Sequence, residues 1–487
     1  MSLAERLFGQ TSRHFYLGFV AIVLLATALG SKEIWTQEAR WANIVLQMLQ
    51  SGDYLHPFLQ GEAYYDKPLL SYWLMVVVSW FTDGLNLVSL RLSSVLAGLL
   101  TIYCTVQLGT HWFNRTVGLL AGWMLVTCFF FIFWARTAST DMLNVAGMML
   151  AVLWYVKHPQ PRFFHYAIFF IIMSVTSLCK GLVGFVLPLI VIAPHILTSN
   201  RWREHLNFSL IFAMIPALII YLFPFWLSSQ SGVELNYQDN GLYLSFRESV
   251  VRFFQPYDHV GPIYLYFLYL PLYGLPWSLF LFPALWSLRA RWKTMSEQER
   301  WLFFAIALLF IFFTLSGSRR SYYVLPLIPF ALLFVAQWLY TKAAWWKAIA
   351  YGVVSFAALW FMVFGLAMPW YYGGGGLSAF AAEVRQVAEE RSSWEDWHIV
   401  MWNASNKAPI YVHNHNELRY SDSQSVQEIL IDSPKNTLFV TDLSHQAALA
   451  ALLGAHYQQI TAPATRGKRI LGGKEQGDAV AYIPLTD

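Results

Sequence analysis

Apolar runs about as long as a bilayer is thick recur through most of this 487-residue chain, and no other feature limits its fold so tightly. They lie at roughly 15–30, 87–108, 116–134, 142–156, 163–179, 182–197, 206–227, 263–287, 301–315, 322–340 and 348–369. A helix of about 20 residues crosses the hydrocarbon core and satisfies its own backbone, so these runs predict about eleven transmembrane helices. The shorter ones, 142–156 and 301–315, are expected to bury their ends against neighbours or to line a wet cavity. Only 12% of the residues are charged, about half the usual share, while 57% are hydrophobic. That excludes a disordered chain and leaves too little charge to coat a water-soluble globule of this length. Cys104, Cys128 and Cys179 all fall inside apolar runs, so neither a disulfide framework nor a thiolate metal site is implied.

The loops set an orientation. With the N-terminus inside, the inner loops carry thirteen basic residues, among them Arg115, Arg162, Arg203, Arg289 and Lys347, against four acidic ones. The outer face up to residue 370 is nearly balanced, so the positive-inside rule places the N-terminus in the cytoplasm. The first run follows Arg6 and Arg13 without a small-residue cleavage site and is expected to be a retained helix. An odd number of crossings then puts residues 371–487 outside.

That tail differs in kind. It holds 13 of the 28 acidic residues and no run long enough to span, and it begins at Gly373–Gly376, which reads as a flexible connector. Short β-rich runs at 398–402, 410–412, 437–441 and 479–483 alternate with helical patterns near 377–391, 423–430 and 443–454. The expected fold class is therefore a mainly α polytopic membrane protein. Its transmembrane domain covers 1–370, including interfacial helices in the first outer loop (31–86), and a small C-terminal periplasmic α/β domain covers 371–487.

Polar residues of the outer face are gathered, not scattered. Trp41, Ile44, Val45, Met48 and Leu49 share one face of a helix over 37–50, as expected of a helix lying in the membrane interface, and Glu33, Glu38 and Arg40 crowd its start. Asp66 and Lys67 precede a proline and an apolar helix. Arg91, Arg136, Asp141 and Lys180 sit at helix ends on the same side, where an ionisable group needs a wet cavity or a partner. The outer loop 228–262 adds Arg247, Glu248, Arg252, Asp258 and His259. Arg319 and Arg320, between serines and tyrosines, offer forked donors suited to phosphate oxygens. Carboxylates and guanidinium groups on one face suggest a cavity for an anionic, phosphate-bearing lipid beside a general base.

The order of these pieces resembles the bacterial GT-C glycosyltransferases of the protein O-mannosyltransferase and lipid A aminoarabinose transferase superfamily. The resemblance runs over roughly residues 30–330. It is carried by Glu38-Ala-Arg-Trp-Ala-Asn-Ile, Ser51-Gly-Asp-Tyr-Leu, Tyr65-Asp-Lys-Pro-Leu-Leu-Ser-Tyr-Trp and Arg91-Leu-Ser-Ser, then Ala135-Arg-Thr-Ala-Ser-Thr-Asp-Met, Lys180-Gly-Leu-Val-Gly and Ser316-Gly-Ser-Arg-Arg-Ser-Tyr-Tyr. It implies sugar transfer from a polyprenyl-phosphate donor to a lipid, glycan or protein acceptor at the periplasmic face of a bacterial inner membrane. Such a protein touches membrane lipids, uses no nucleotide cofactor and binds no nucleic acid.

In that family a carboxylate in the first outer loop activates the acceptor, usually the Asp of an Asp-Glu pair. Here the pair reads Gln37-Glu38. The resemblance leaves Glu38, Glu33, Asp66 and Asp141 as catalytic carboxylates. Lys67, Arg136, Lys180, Arg319, Arg320 and Tyr322 become donor-phosphate ligands, and Arg40 and Arg91 are assigned to the acceptor side. Asp66 and His259 would be the ligands of a divalent metal. Because Gln37 takes no proton, a catalytically impaired relative stays open beside the enzyme, as does a transporter or flippase of a lipid-linked saccharide. Against the flippase stands the clustering of charge at one face without an inverted repeat.

Overall fold

The computed structural model describes every residue except 1, 10–13, 61, 83, 200, 201, 231–240, 257, 258, 417, 422–425, 427–429, 431–435, 486 and 487. The chain forms two compact units. One contains residues 1–27, 65–71 and 91–361, the other 28–64, 72–90 and 362–487. The division expected at residue 370 is thus drawn differently, with most of the first outer loop grouped with the tail.

The first unit is a bundle of helices, and their starts follow from local chemistry. Asn114 Oδ1 accepts the Val117 N–H at 3.1 Å at the start of Arg115–Val126, and Ser139 caps Thr140–Lys157. Ser296 and Glu299 form a reciprocal capping box at Glu297–Leu315. Exposure identifies the lipid-facing sides. On Phe208–Gln230, Ile211, Ile215, Leu218, Ile219, Phe223 and Trp226 all lie open, which water would penalise and lipid would not. Ile328–Tyr340 is buried almost throughout and forms the centre of the bundle.

Among the described residues six helices are long and apolar enough to cross a membrane, or eight if each of two bent pairs is one span. Eleven is not reached by that measure. The run at 116–134 breaks into Arg115–Val126 and Phe129–Ala135, bent by 70°, and 263–287 breaks into two parts bent by 112°. The helices Phe15–Ala26 and Val183–Thr198 stop short of a full crossing.

The second unit is α/β. Strands β1 (Phe58–Leu59) and β2 (Glu62–Ala63) form a small hairpin. A five-stranded sheet holds β3 (His398–Trp402), β4 (Arg419–Ser421), β5 (Thr437–Asp442), β6 (Tyr457–Pro463) and β7 (Gln476–Pro484) in the order β4-β3-β5-β7-β6. Strand β3 is parallel to β4 and β5, and β7 is antiparallel to β5 and β6. Val400, Trp402, Phe439, Val480 and Tyr482 pack with Leu449 and Leu453 as its core.

Two expectations for this unit change, and a third falls on residues that are largely not described. Residues 410–412 are a turn, with the Tyr411 and Val412 N–H groups both donating to Ala408 O, although Ile410 and Val412 are buried. The helix expected near 423–430 lies largely outside the described residues. The helix Thr36–Ser51 is not a surface helix: Ala42, Ile44, Val45, Leu46 and Met48 are all buried, and its polar flank is taken up as well. Asn43 Nδ2 donates to Asn406 O at 2.7 Å, and Gln50 Nε2 to Asn414 O and Asn416 O. An amphipathic pattern distinguishes an apolar face from a polar one but not lipid from protein.

Candidate active site

In the first unit, helix Thr140–Lys157 starts where helix Phe163–Lys180 ends. Asp141, 9% exposed, therefore sits in a first turn, where the helix dipole favours an anion, and Lys180 in a last turn, where it favours a cation. The Lys180 ammonium donates to Asp141 Oδ1, and Ser139 Oγ donates to Asp141 Oδ2 at 3.0 Å. Lys180 also stands 5.1 Å from the centre of the Tyr323 ring. The next residue, Gly181, has φ +94°, and a Cβ there would lie 2.6 Å from Ser249 Oγ. Only glycine lets the 247–251 segment come this close, and Ser249 Oγ accepts the Leu182 N–H at 3.2 Å.

That segment, Arg247–Val251, is one turn of π-helix running into Arg252–Phe254. Its wide winding turns Glu248, Ser249, Arg252 and Phe253 toward one cavity of about 100 Å³. Lys67, Lys180 and Tyr323 complete the polar wall with Ser316 and Ser318, and Val183, Phe253, Phe312 and Phe313 form the apolar one. Arg252 donates to Glu248 Oε2 at 2.8 Å, with side chains 12% and 7% exposed. Lys67 Nζ donates to Asp66 O at 2.9 Å and lies 3.9 Å from Asp66 Oδ2. Burial pulls the Lys67 pKa below the ordinary lysine value; Asp66 and Glu248 oppose that, while Arg252 and Lys180 add to it. Glu248 is pushed upward by burial and by Asp66, against the pull of Lys67 and Arg252. Three cations and Glu248 thus line one enclosure, with Asp66 beside Lys67 and Asp141 on Lys180, and an arriving anion competes with carboxylates that already hold these cations.

Other residues singled out from the sequence do not line this cavity. Arg136 donates to the carbonyls of Leu24, Leu25 and Thr27 and so closes the end of the first apolar helix. Arg319 donates to Thr314 O and Gly261 O, holding the 316–320 loop. Arg320 meets His259 Nε2 and lies over the Tyr322 ring, which packs on Trp134 at 4.6 Å. Arg91 is buried within the helix Leu87–Trp112. Asp258 lies outside the described residues, and no group of three or more His, Cys, Asp and Glu that could hold a metal gathers among the described ones. With a guanidinium against His259 Nε2, the residues present do not fit a centre built on Asp66 and His259.

In the second unit, Glu38 is fully buried and accepts the Trp35 N–H at 3.0 Å, as the third residue of its helix commonly does. Glu33 accepts the Leu377 N–H at 3.0 Å and lines a cavity of about 250 Å³ with Lys407, Asp442, Thr465 and Lys468. Arg40 donates to Tyr64 Oη at 2.7 Å. The glycine run is a fitted joint and not a loose connector: Gly376 has φ +75°, and a Cβ on it would lie 2.0 Å from Glu33 Oε1.

Glu248, Arg252 and Tyr323 join Lys67 and Lys180 without having been singled out as site residues. The first two were visible as charges in an outer loop, and only their four-residue spacing hinted at a pair. Tyr323 was indistinguishable from Tyr322 in sequence.

Residues 20–231 match the family model described as dolichyl-phosphate-mannose-protein mannosyltransferase. An undecaprenyl phosphate-alpha-4-amino-4-deoxy-L-arabinose arabinosyl transferase of Pseudomonas aeruginosa is 28% identical over 320 residues, 63% of this chain and 56% of that protein. The like-named protein of Pectobacterium carotovorum is 26% identical over 376 residues, 72% of this chain and 65% of its own. The chain spans a little over half the length of the first of these relatives. A crystal structure of ArnT from Cupriavidus metallidurans bound to undecaprenyl phosphate superposes with a TM-score of 0.73 over 96% of this chain and 97% of that one, at 18% identity. The fold is the GT-C fold. The archaeal oligosaccharyltransferase AglB from Archaeoglobus fulgidus, in complex with an inhibitory peptide and a dolichol-phosphate, shares it more distantly, with a TM-score of 0.52 over 89% of this chain. The charged cavity thus lies in the first unit of a chain whose fold is shared with ArnT.

Proposed function

We propose that this chain is an integral-membrane glycosyltransferase. It moves a sugar from a polyprenyl-phosphate donor to a lipid, glycan or protein acceptor at the periplasmic face of a bacterial inner membrane. The observation that carries this reading is the cavity where Lys67, Lys180 and Arg252 face a wall of phenylalanines, because a polyprenyl phosphate needs cations for its head and apolar surface for its chain. In the reaction the acceptor oxygen attacks C1 of the sugar and the bond from C1 to the phosphate oxygen breaks. The electron pair leaves with polyprenyl phosphate, whose growing negative charge Lys67, Arg252 and Lys180 stabilise while the Tyr323 hydroxyl donates to it. An acceptor hydroxyl passes its proton to Asp66 or Asp141, each beside one of the phosphate ligands; an acceptor phosphate has none to pass.

The test compares lipid A, surface glycans and secreted proteins by mass spectrometry from cells with and without the protein, alongside transfer of labelled sugar from undecaprenyl phosphate in membranes. One added sugar mass, lost with Lys67→Ala, is the expected result. Lipid translocation in proteoliposomes with no product in any fraction would replace this reading with a flippase.

A further inference from the structure

Building on the glycosyltransferase reading, we infer that Glu248 is a stand-in for the donor phosphate. It holds Arg252 until a phosphate-bearing lipid enters, yields it then, and reclaims it to release the spent polyprenyl phosphate. The pair sits four residues apart across a single π-turn, so both groups face the cavity from one short element and can part by side-chain rotation alone. Arg252 Nη1 to Glu248 Oε2 is 2.8 Å, with both groups nearly buried, so their contact is only weakly screened by water. The groups facing Glu248 are Asp66, Lys67 and Arg252. Two of these, Lys67 and Arg252, are the cations that a phosphate would draw away, and the third is a carboxylate that repels Glu248. Phosphate entry therefore leaves Glu248 beside an anion with its supports withdrawn, a state favourable only while the phosphate remains. Burial already makes the ionised form of Glu248 costly, which adds to the tendency of the pair to re-form once the sugar has gone.

Glu248 is a positioning residue on this account: it acts through Arg252, not on the reacting atoms. A carboxylate that served only to fix the fold would weaken phosphate binding when removed; a stand-in strengthens it. The probe is undecaprenyl phosphate, titrated into the full-length protein in detergent micelles, with the dissociation rate followed separately. Glu248→Gln is expected to bind about ten-fold more tightly and to release correspondingly more slowly, the worth of one charge-assisted hydrogen bond no longer competed for. Donor KM and kcat should fall together, because release becomes limiting. The gain should vanish in Glu248→Gln/Arg252→Ala, since the effect runs through the arginine. Glu248→Asp, whose shorter arm draws back from Arg252, should tighten binding part-way and serves if the glutamine variant misfolds. Binding by wild type with equal or weaker binding by folded Glu248 variants overturns the inference and leaves the enzyme reading intact. Failure of wild type to bind the lipid, with Lys67→Ala no different, overturns both.

Discussion

Lys67 is the residue whose removal reads most directly on the cavity. Its ammonium lies 3.9 Å from Asp66 Oδ2 with 19% of the side chain exposed, and Glu248 and Asp66 both help to hold it charged. Lys67→Met keeps the stem and deletes the charge. Hydrogen bonds to charged groups contribute about 1.5–3 kcal/mol, so loss of this cation should raise donor KM by roughly 10- to 150-fold. A kcat loss should accompany it, because the leaving phosphate gains charge in the transition state. The pH dependence has a definite sign. Burial lowers the Lys67 pKa, so the free protein loses this cation at a lower pH than an ordinary lysine would, and donor KM should climb on the alkaline side starting below the ordinary lysine range. Bound phosphate raises that pKa again, so the limb belongs to kcat/KM more than to kcat. Lys67→Arg should keep the charge and push the limb out of range, while Lys67→Met should show no limb at all. The assay is initial-rate transfer of labelled sugar across a pH series with each variant. An unchanged KM in Lys67→Met, or an identical alkaline limb in Lys67→Arg, would refute the assignment of Lys67 to the donor.

Gly376→Ala should force Glu33 off the Leu377 N–H, because the new Cβ would lie 2.0 Å from Glu33 Oε1 in a backbone with φ +75°. Left-handed strain of about 1 kcal/mol and a lost charged hydrogen bond of about 2 should cut amide protection in Gly376–Glu389 by about 100-fold in hydrogen exchange; unchanged protection contradicts the joint. Glu38→Gln still accepts from Trp35 N–H and should retain most transfer activity, whereas Glu38→Ala loses the cap, about 1 kcal/mol of helix stability and solubility of the folded chain; equal collapse of transfer in both would give Glu38 a proton-transfer role instead. Arg136→Ala strips donors from three carbonyls and should lower thermal stability by about 2–4 kcal/mol with donor KM little changed, read by tryptophan-fluorescence melting and by kinetics; a selective rise in KM would return Arg136 to the phosphate site.

The membrane character was legible because apolar run length maps directly onto bilayer thickness. Pieces of the tail sheet were legible for the same local reason: 398–402, 437–441 and 479–483 fall within β3, β5 and β7. Strand β6 escaped because Gln458 and Gln459 dilute its pattern, and β4 because three residues carry no period. Partnership was the harder part. An arginine at a helix end has the same sequence signature whether it meets a phosphate or caps a neighbouring helix, as Arg136 does. Likewise Gly373–Gly376 has the composition of a linker, yet Gly376 is needed where Glu33 approaches the chain. Composition records which residues are costly to bury, whereas the pairing of Lys180 with Asp141 across 39 positions is decided by where two helices happen to end.

The glutamine at position 37 bears on the acceptor. It takes no proton, Glu38 beside it is buried at the start of its helix, and Glu33 is engaged by the Leu377 N–H. In the first unit every carboxylate of the cavity region faces a cation: Asp66 with Lys67, Asp141 with Lys180, Glu248 with Arg252. With each of these carboxylates already facing a cation, this enclosure is better suited to exchanging anions than to withdrawing a proton from a hydroxyl. A phosphate acceptor arrives already ionised and needs no such base. On the proposed reading, transfer should therefore run to a phosphate-bearing acceptor at a rate nearly independent of pH through the neutral range. Transfer to a sugar or serine hydroxyl should be slow and rise with pH. Rapid transfer to a hydroxyl at neutral pH would mean that one of these carboxylates sheds its cation when the donor binds, and Asp66, 3.9 Å from Lys67 Nζ, would be the one to substitute first.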